Sequence, residues 1–443
     1  MSKPADMPPM TYRFLGRSGL QVSSVSLGGW LTYGGHVDRE GTFACMKAAY
    51  DCGVNFFDCA EGYAGGESEI VMGEAIKKFG WKRNDIVVST KVKRRPAPLL
   101  GPLQAPPQLP RHAARVRDHA VHVDHRQGRE LANDDEHQPE ERQPQQVVPH
   151  PPQEHPVGPG EGPRHAGGRP PPKDRRALLA RRPLTLPQIY WGQANGENAV
   201  NNTGLSRKHI VEGVKASLGR MDLEYVDVIF AHRPDRHTPI EETVRAFNHV
   251  IDTGKAFYWG TSDWSADEIA QAWRYADKLG LVGPVTEQPA YNMLQREKVE
   301  AEFAHLYRET GLGLTVWSPL RQGILSGKYR DGIPEDSRFA QTSVDFIQGY
   351  WKRTSQDTWD GIVAQVNRLE PVADRLNMKL STLALAWVLK NPNVSTAITG
   401  ASKVEQVFEN CRAVAAVDQL TPEVMDEIDR VLNNKPPAVT MRF

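Results

Sequence analysis

Four residues that can take part in proton transfer stand at the ends of successive predicted strands. Asp58 and Tyr63 follow the second strand, Lys91 closes the third and His232 closes the fourth. A tyrosine with a pKa near 10 is a weak acid at neutral pH, and a neighbouring ammonium stabilises its phenolate and lowers that pKa. A carboxylate keeps the lysine charged, and an imidazole can orient a carbonyl oxygen. The set predicts protonation of a carbonyl oxygen by Tyr63.

Each of the four also has a purely structural interpretation. Asp58 could cap a helix, and Lys91 could be a solvated strand terminus. Tyr63 could pack beside a Gly-rich turn, and His232 could be a core histidine. Other polar or aromatic residues follow later predicted strands: Ser262, Asp263, Gln288, Trp317 and Ser318.

The elements that would position these residues alternate along the chain. Eight short apolar runs are predicted as strands buried on both faces, at 22–30, 54–60, 85–91, 226–232, 256–264, 285–292, 313–320 and 396–402. Helices are predicted at 40–52, 67–79, 206–219, 240–252, 265–279, 296–309 and 378–390. Ser206 should cap a helix that closes on Gly219, and Thr238-Pro239 should open one that closes on Gly254.

This α/β alternation predicts either a closed (β/α)8 TIM barrel or a long doubly wound sheet. The barrel is favoured because no G-x-G-x-x-G joins a first strand to a first helix. The candidate residues also follow several different strands, and barrel active sites collect at the C-terminal ends of the strands.

The stretch 92–188, directly after the third strand, has a different composition from the rest. It holds 19 of the 33 prolines and 8 of the 14 histidines, but no aromatic residue and no Ile. Such a segment buries too little apolar surface to offset its ordering entropy. It is a disordered regulatory insertion, a histidine-rich metal segment without ligand spacing, or a translated, retained intron running from a Val codon to a Gln codon. The expected organisation is one barrel, 11–437, interrupted by 92–188.

Bulk properties exclude several classes of protein. Lys plus Arg and Asp plus Glu both number 54, which argues against nucleic-acid binding. No run of 18 apolar residues and no signal-like N-terminus occurs, so a cytoplasmic protein without membrane insertion is expected. The four cysteines, Cys45, Cys52, Cys59 and Cys411, form no C-x-x-C pair and should be reduced and buried, and no metal site is expected.

Several motifs resemble the aldo-keto reductase superfamily. They include NFFDCAEGYAGGESEIVMGEAI, VVSTK, IYWGQANG, FAHRPD, WGTSDWSADEI, QPAYNMLQR, WSPLRQGILSGKY and ITGASKVEQVFEN. The most similar branch contains the voltage-gated potassium channel β-subunits and related microbial NADPH-dependent reductases. The resemblance covers about 11–91 and 189–437. It implies a barrel that binds NADPH or NADP+ without a Rossmann fold.

The resemblance also implies roles for individual residues. Tyr63 would be the general acid, tuned by Lys91 and Asp58, and His232 would position the carbonyl. Trp30 and Trp191 would line the substrate mouth, and Lys328 and Arg338 would hold the 2′-phosphate unless they are ordinary surface cations. The implied cofactor-binding residues are Trp30, Ser262, Gln288, Trp317, Ser318, Lys328, Arg338, Gly400, Ser402, Gln406, Glu409 and Asn410.

The implied function is NADPH-dependent reduction of a small aldehyde or ketone. The alternative is an NADP(H)-sensing β-subunit that regulates a potassium channel with little catalysis. His232 favours the reductase, because the channel subunits commonly carry Asn there. Asp263 stands where those subunits have Arg, which puts one cofactor contact in doubt. The resemblance also implies a homotetramer.

Overall fold

Eight parallel strands close into a barrel at the centre of this protein. The computed structural model describes residues 2–30, 33, 34, 37–92, 200–335, 337 and 356–437. The barrel strands are β3 Val25–Gly28, β4 Phe56–Asp58, β5 Val87–Val92, β6 Val226–Ala231, β7 Ala256–Ser262, β8 Thr286–Gln288, β9 Gly313–Trp317 and β10 Val394–Thr399. Around the barrel they run in the order β10-β3-β4-β5-β6-β7-β8-β9. The predicted (β/α)8 barrel is confirmed.

Helices surround the strands. Those in the described residues are α1 Arg39–Asp51, α2 Glu67–Phe79, α3 Arg207–Met221, α4 Ile240–Asp252, α5 Ala266–Leu279, α6 Ala304–Thr310, α7 Gln356–Asn367, α8 Glu370–Arg375, α9 Leu380–Lys390, α10 Val404–Ala416 and α11 Pro422–Leu432. An apolar layer packs between them and the barrel, which explains why the strands are apolar on both faces.

A hairpin, β1 Tyr12–Phe14 and β2 Gln21–Ser23, packs against the N-terminal ends of the barrel strands. Leu15 and Val22 belong to the same buried cluster as the barrel residues Phe56 and Phe230. Gly16, with φ of +54°, approaches so closely that an added Cβ would lie 2.1 Å from the backbone oxygen of Val285. The hairpin therefore occupies the end of the barrel opposite the candidate residues.

Most predicted elements are confirmed, with corrections at their ends. Ser206 caps α3, since its side chain accepts from the amide of His209. The predicted closure on Gly219 is wrong, because α3 continues to Met221 and Asp222 takes the left-handed cap conformation with φ of +54°. The predicted helix 296–309 is divided into a π-helical turn, Lys298–Glu302, and α6.

The first residue of the predicted insertion, Val92, lies within a barrel strand. Val92 lies in β5, pairs with Ala231 of β6 and is 1% exposed. It is therefore a barrel residue rather than the first residue of a disordered segment. The rest of the predicted insertion, with its eight histidines, lies outside the described residues.

The four cysteines are all free and buried, as predicted. Among the described residues, every helix is too short or too polar to cross a lipid bilayer.

Candidate active site

A large cavity opens at the C-terminal ends of the barrel strands. Its volume is about 1080 Å³, and it extends from Tyr63 and His232 to Lys328 and the start of α10. Every predicted site residue that the structure describes lines this cavity except Lys91. Trp191 and Arg338 lie outside the described residues. The folded chain thus brings together residues separated by more than 300 positions in the sequence.

Lys91 lies behind the cavity wall, in a buried ion pair with Asp58. Its Nζ is 2.5 Å from Asp58 Oδ2, and it also donates to the backbone oxygen of Cys59 at 2.7 Å. The Lys91 side chain is fully buried and that of Asp58 is 4% exposed. The other carboxylate oxygen of Asp58 accepts from Ser89 Oγ at 2.7 Å and from Gln288 Nε2 at 3.1 Å.

These contacts decide between the interpretations of the two residues. Asp58 does not cap a helix, because its side chain binds Lys91, Ser89 and Gln288. Lys91 is not a solvated terminus, because no part of it reaches the surface. An ion pair this deep in the protein requires full hydrogen bonding to offset the cost of desolvating both charges. Three further hydrogen bonds, with Cys59, Ser89 and Gln288, contribute to that offset.

Tyr63 and His232 face each other in the wall of the cavity. Their rings are 5.8 Å apart and nearly perpendicular, at 76°. The Lys91 ammonium lies 4.9 Å from the centre of the Tyr63 ring. Tyr63 opens a turn in which Ala64 has φ of +48°, and glycines with positive φ follow it. The Gly-rich sequence after Tyr63 therefore serves this left-handed turn.

The predicted lowering of the tyrosine pKa is wrong for this state of the protein. Burial, and after it the Asp58 carboxylate, raises the pKa of Tyr63 well above its usual value. Arg233 is the nearby cation that opposes this rise. Burial also lowers the pKa of Lys91, while Asp58 acts against that change. Tyr63 therefore keeps its proton at neutral pH.

The next part of the cavity wall consists of Ser262, Gln288 and Trp317. Ser262 Oγ donates to the backbone oxygen of Gln288 at 3.0 Å, which joins the ends of β7 and β8. Trp317 is partly exposed at the end of β9, and its Nε1 donates to Asp263 Oδ1 at 3.4 Å. Trp317 is therefore an aromatic wall of the cavity rather than a core residue.

The far end of the cavity is formed by the start of α10. Gln406 Oε1 accepts from the Ser402 amide at 2.8 Å. The N-cap of α10 is Lys403, which makes no side-chain capping hydrogen bond. Glu409 binds Lys379 Nζ at 2.6 Å and accepts a short hydrogen bond from Ser381. A helix N-terminus of this kind favours an anion.

One wall of the cavity is a strained loop that the sequence does not predict. Ser318, Arg321 and Gln322 have φ of +55°, +44° and +57°, and Gly323 has φ of +93°. Ordinary residues rarely adopt this conformation, and such strain concentrates at ligand sites. Only Gly323 gives a sequence signal for this loop.

Sequence reasoning also missed three polar residues around the site. Ser89 fixes Asp58, Arg233 follows His232 on the cavity wall, and Glu287 lies fully buried beside the end of β7. Glu287 accepts from Thr261 Oγ1 at 2.5 Å and from the backbone amide of Trp264. The period-two alternation of a strand points Ser89 and Lys91 to the same face, which is the signal that could have found Ser89.

The residues present fit a phosphorylated dinucleotide. Trp317 forms an aromatic part of the cavity wall, and Lys328 and the N-terminus of α10 line the same cavity. An added Cβ on Gly323 would lie 2.7 Å from Lys328 Cε, so that glycine leaves the room for the lysine. Ser402 and Asn410 also line the cavity, beside the start of α10.

Comparisons with known proteins agree with this geometry. A model of the aldo/keto reductase family matches residues 24–129 and 190–433. The unmatched stretch, 130–189, overlaps the predicted insertion but starts later.

Relatives named as potassium channel subunits align with most of the chain. A probable voltage-gated potassium channel subunit beta of Arabidopsis thaliana is 41% identical and covers 96% of this chain and 98% of its own length. The corresponding probable subunit of Oryza sativa is 40% identical with the same coverage. A putative subunit of Schizosaccharomyces pombe is 40% identical over 99% of this chain and 97% of its own length.

Proposed function

The chain belongs to the aldo/keto reductase family, and from this membership we propose that it reduces small aldehydes or ketones with NADPH. The observation that carries the proposal is the arrangement of Tyr63 and His232 beside the buried Asp58–Lys91 pair, in the wall of a cavity of about 1080 Å³. A cavity with a proton donor at one end and a phosphate-binding end suits hydride transfer to a carbonyl.

When bound, NADPH supplies a hydride to the carbonyl carbon. Tyr63 donates the proton from its hydroxyl to the carbonyl oxygen, and its raised pKa keeps that proton in place until the substrate arrives. His232 hydrogen-bonds the same oxygen and orients it. Lys91, held charged by Asp58, stabilises the phenolate that forms as the proton leaves.

The remaining cavity residues hold the cofactor in this proposal. Ser262 and Gln288 bind the carboxamide, and Trp317 stacks on the nicotinamide ring. Lys328 binds the 2′-phosphate and so selects NADPH over NADH. Trp30 lines the entrance for the substrate.

Steady-state kinetics with 4-nitrobenzaldehyde tests the proposed function. The full chain should oxidise NADPH with this aldehyde, and Tyr63→Phe should lower the turnover about 10²- to 10⁴-fold while still binding NADPH. A wild-type chain that neither binds nor oxidises NADPH contradicts the reductase. Wild-type turnover in Tyr63→Phe contradicts the role of Tyr63.

The second candidate is a cofactor-sensing channel subunit, which the names of the three relatives favour. It predicts tight NADP(H) retention with negligible turnover, and a homotetramer by light scattering. A measurement with NADPH and aldehyde in excess over protein separates the two functions, because an enzyme consumes many equivalents of NADPH and a sensor stops at about the first.

A further inference from the structure

Arg233 joins two parts of the site that the sequence motifs treat separately. It follows His232 directly after β6, and its Nη1 donates to the backbone oxygen of His232 at 2.5 Å and to Ser262 Oγ at 2.9 Å. Its Nη2 lies 2.8 Å from Asp263 Oδ2. One guanidinium therefore contacts the ends of both β6 and β7.

Asp263 extends this contact to Trp317. Its Oδ1 accepts from Trp317 Nε1 at 3.4 Å, and its backbone amide donates to the oxygen of Gln288 at 3.3 Å. Asp263 has φ of +55°, a strained conformation that its surroundings must maintain.

The ion pair differs from an ordinary surface pair. The side chains of Arg233 and Asp263 are 35% and 23% exposed, whereas Arg245 and Glu241 on α4 are 50% and 45% exposed. A surface pair contributes little, because solvent screens it and two long side chains must be ordered. Arg233 instead makes three polar contacts in a fixed fork geometry that lysine cannot reproduce.

We propose that the Arg233–Asp263 ion pair positions the nicotinamide-binding residues, Arg233 by fixing the Ser262 hydroxyl and Asp263 by fixing the Trp317 indole. The inference rests on the proposed NADPH binding and adds to it two positioning residues. Asp263, which stands where the channel subunits have Arg, then acts by holding the Trp317 indole. The Arg233 charge, which opposes the raised pKa of Tyr63, extends this influence to the proton donor.

Binding measurements on the full chain test the pair. Asp263→Asn removes the charge, and Arg233→Lys keeps the charge but loses the fork. Glu241→Gln, which breaks only the α4 surface pair, is the matched control. Two ligands are used as probes, NADPH and adenosine 2′,5′-bisphosphate, which has no nicotinamide. Affinity is measured for both, and the fluorescence emission of the bound nicotinamide is recorded for NADPH.

We expect each site variant to weaken NADPH binding about tenfold, which corresponds to about 1.4 kcal/mol, and to shift the nicotinamide emission towards that of free NADPH. Binding of the bisphosphate should stay within about twofold, since its residues lie at the other end of the cavity. The double variant should bind NADPH about as tightly as the single variant with the lower affinity, because the two residues act as one unit.

Two outcomes overturn the inference. One is NADPH binding and emission unchanged in both variants, and the other is an equal loss of NADPH and bisphosphate binding, which indicates general damage to the site. Bisphosphate binding also reports that each variant is folded. A wild-type chain that binds no NADPH overturns the proposed function and this inference together, whereas normal wild-type binding beside unaffected variants overturns only the inference.

Discussion

Lys91 and Asp58 form a buried ion pair, with Nζ 2.5 Å from Oδ2 across the neighbouring strands β5 and β4. The register places Asp58 opposite Ser89, two residues before Lys91. The side chains of Ser89 and Lys91 therefore point to the same face and meet the same carboxylate.

The ion pair should make single and double substitutions behave differently. Asp58→Asn leaves the buried Lys91 charge uncompensated and should cost about 3–5 kcal/mol of unfolding free energy. Asp58→Asn combined with Lys91→Met should cost less than the sum of the two single variants, because neither charge remains. Urea unfolding of the four chains measures this coupling. Strict additivity would show that the pair contributes nothing as a unit.

Tyr63 should remain a phenol in alkaline solution. Because burial and Asp58 raise its pKa well above the usual value of 10.0, it should contribute no tyrosinate absorbance between about pH 7 and about pH 10. Wild type and Tyr63→Phe should therefore titrate alike in ultraviolet difference spectra over that range. An additional ionising phenol in the wild type would contradict the raised pKa.

Glu287 should make the protein less stable as the pH rises. Burial raises its pKa from 4.5 to about 8, with Asp263 acting in the same direction and Lys298, Thr261 and Arg233 opposing it. Between these values the folded state holds a proton that the unfolded state has lost, so stability is full below about pH 4.5 and falls until about pH 8.

Glu287→Gln should remove that part of the pH dependence, which is on the order of several kcal/mol. Thermal unfolding at about pH 5, 7 and 8.5 measures it, and the loss of Tm towards alkaline pH should shrink in the variant. Glu297→Gln, at an exposed glutamate of the same chain, is the control. Parallel Tm profiles for wild type and Glu287→Gln would be the contrary result.

Deleting 92–188 should give a more stable and more active protein. The deletion joins Lys91 to Ile189, so another β-branched residue takes the buried strand position that Val92 holds. Deleting 93–188 is the matched control, because it keeps Val92 and moves Ile189 one position further along. We expect higher Tm and faster NADPH oxidation from the first deletion than from the second. A 92–188 deletion that fails to fold would contradict this prediction, because it would show that the barrel needs the segment.

We also propose that 92–188 is a translated intron, and transcripts decide that point. Messages that join the Lys91 codon to the Ile189 codon would support it. Messages that all contain the segment, with native protein of full mass, would make it a genuine insertion.

Local patterns were sufficient to predict the barrel. Val-, Ile- and Phe-rich runs are buried on both faces in any parallel sheet, so each barrel strand overlaps a predicted one, although β4 and β8 are only three residues long. Helices α7, α8 and α11 were not predicted from the sequence. Ser206 was correctly predicted as the N-cap of α3, because this capping hydrogen bond joins residues only three positions apart.

The amino-acid sequence by itself determined the eight-stranded alternation and the types of residue that stand at the strand ends. The tertiary structure decided how those residues interact: that Lys91 is buried behind Asp58 rather than exposed, that Tyr63 keeps its proton, and that Arg233 reaches Asp263. The reason is physical. Strand and helix formation depends on neighbours a few residues apart, whereas burial, pKa and ion pairing depend on side chains brought together from distant parts of the chain.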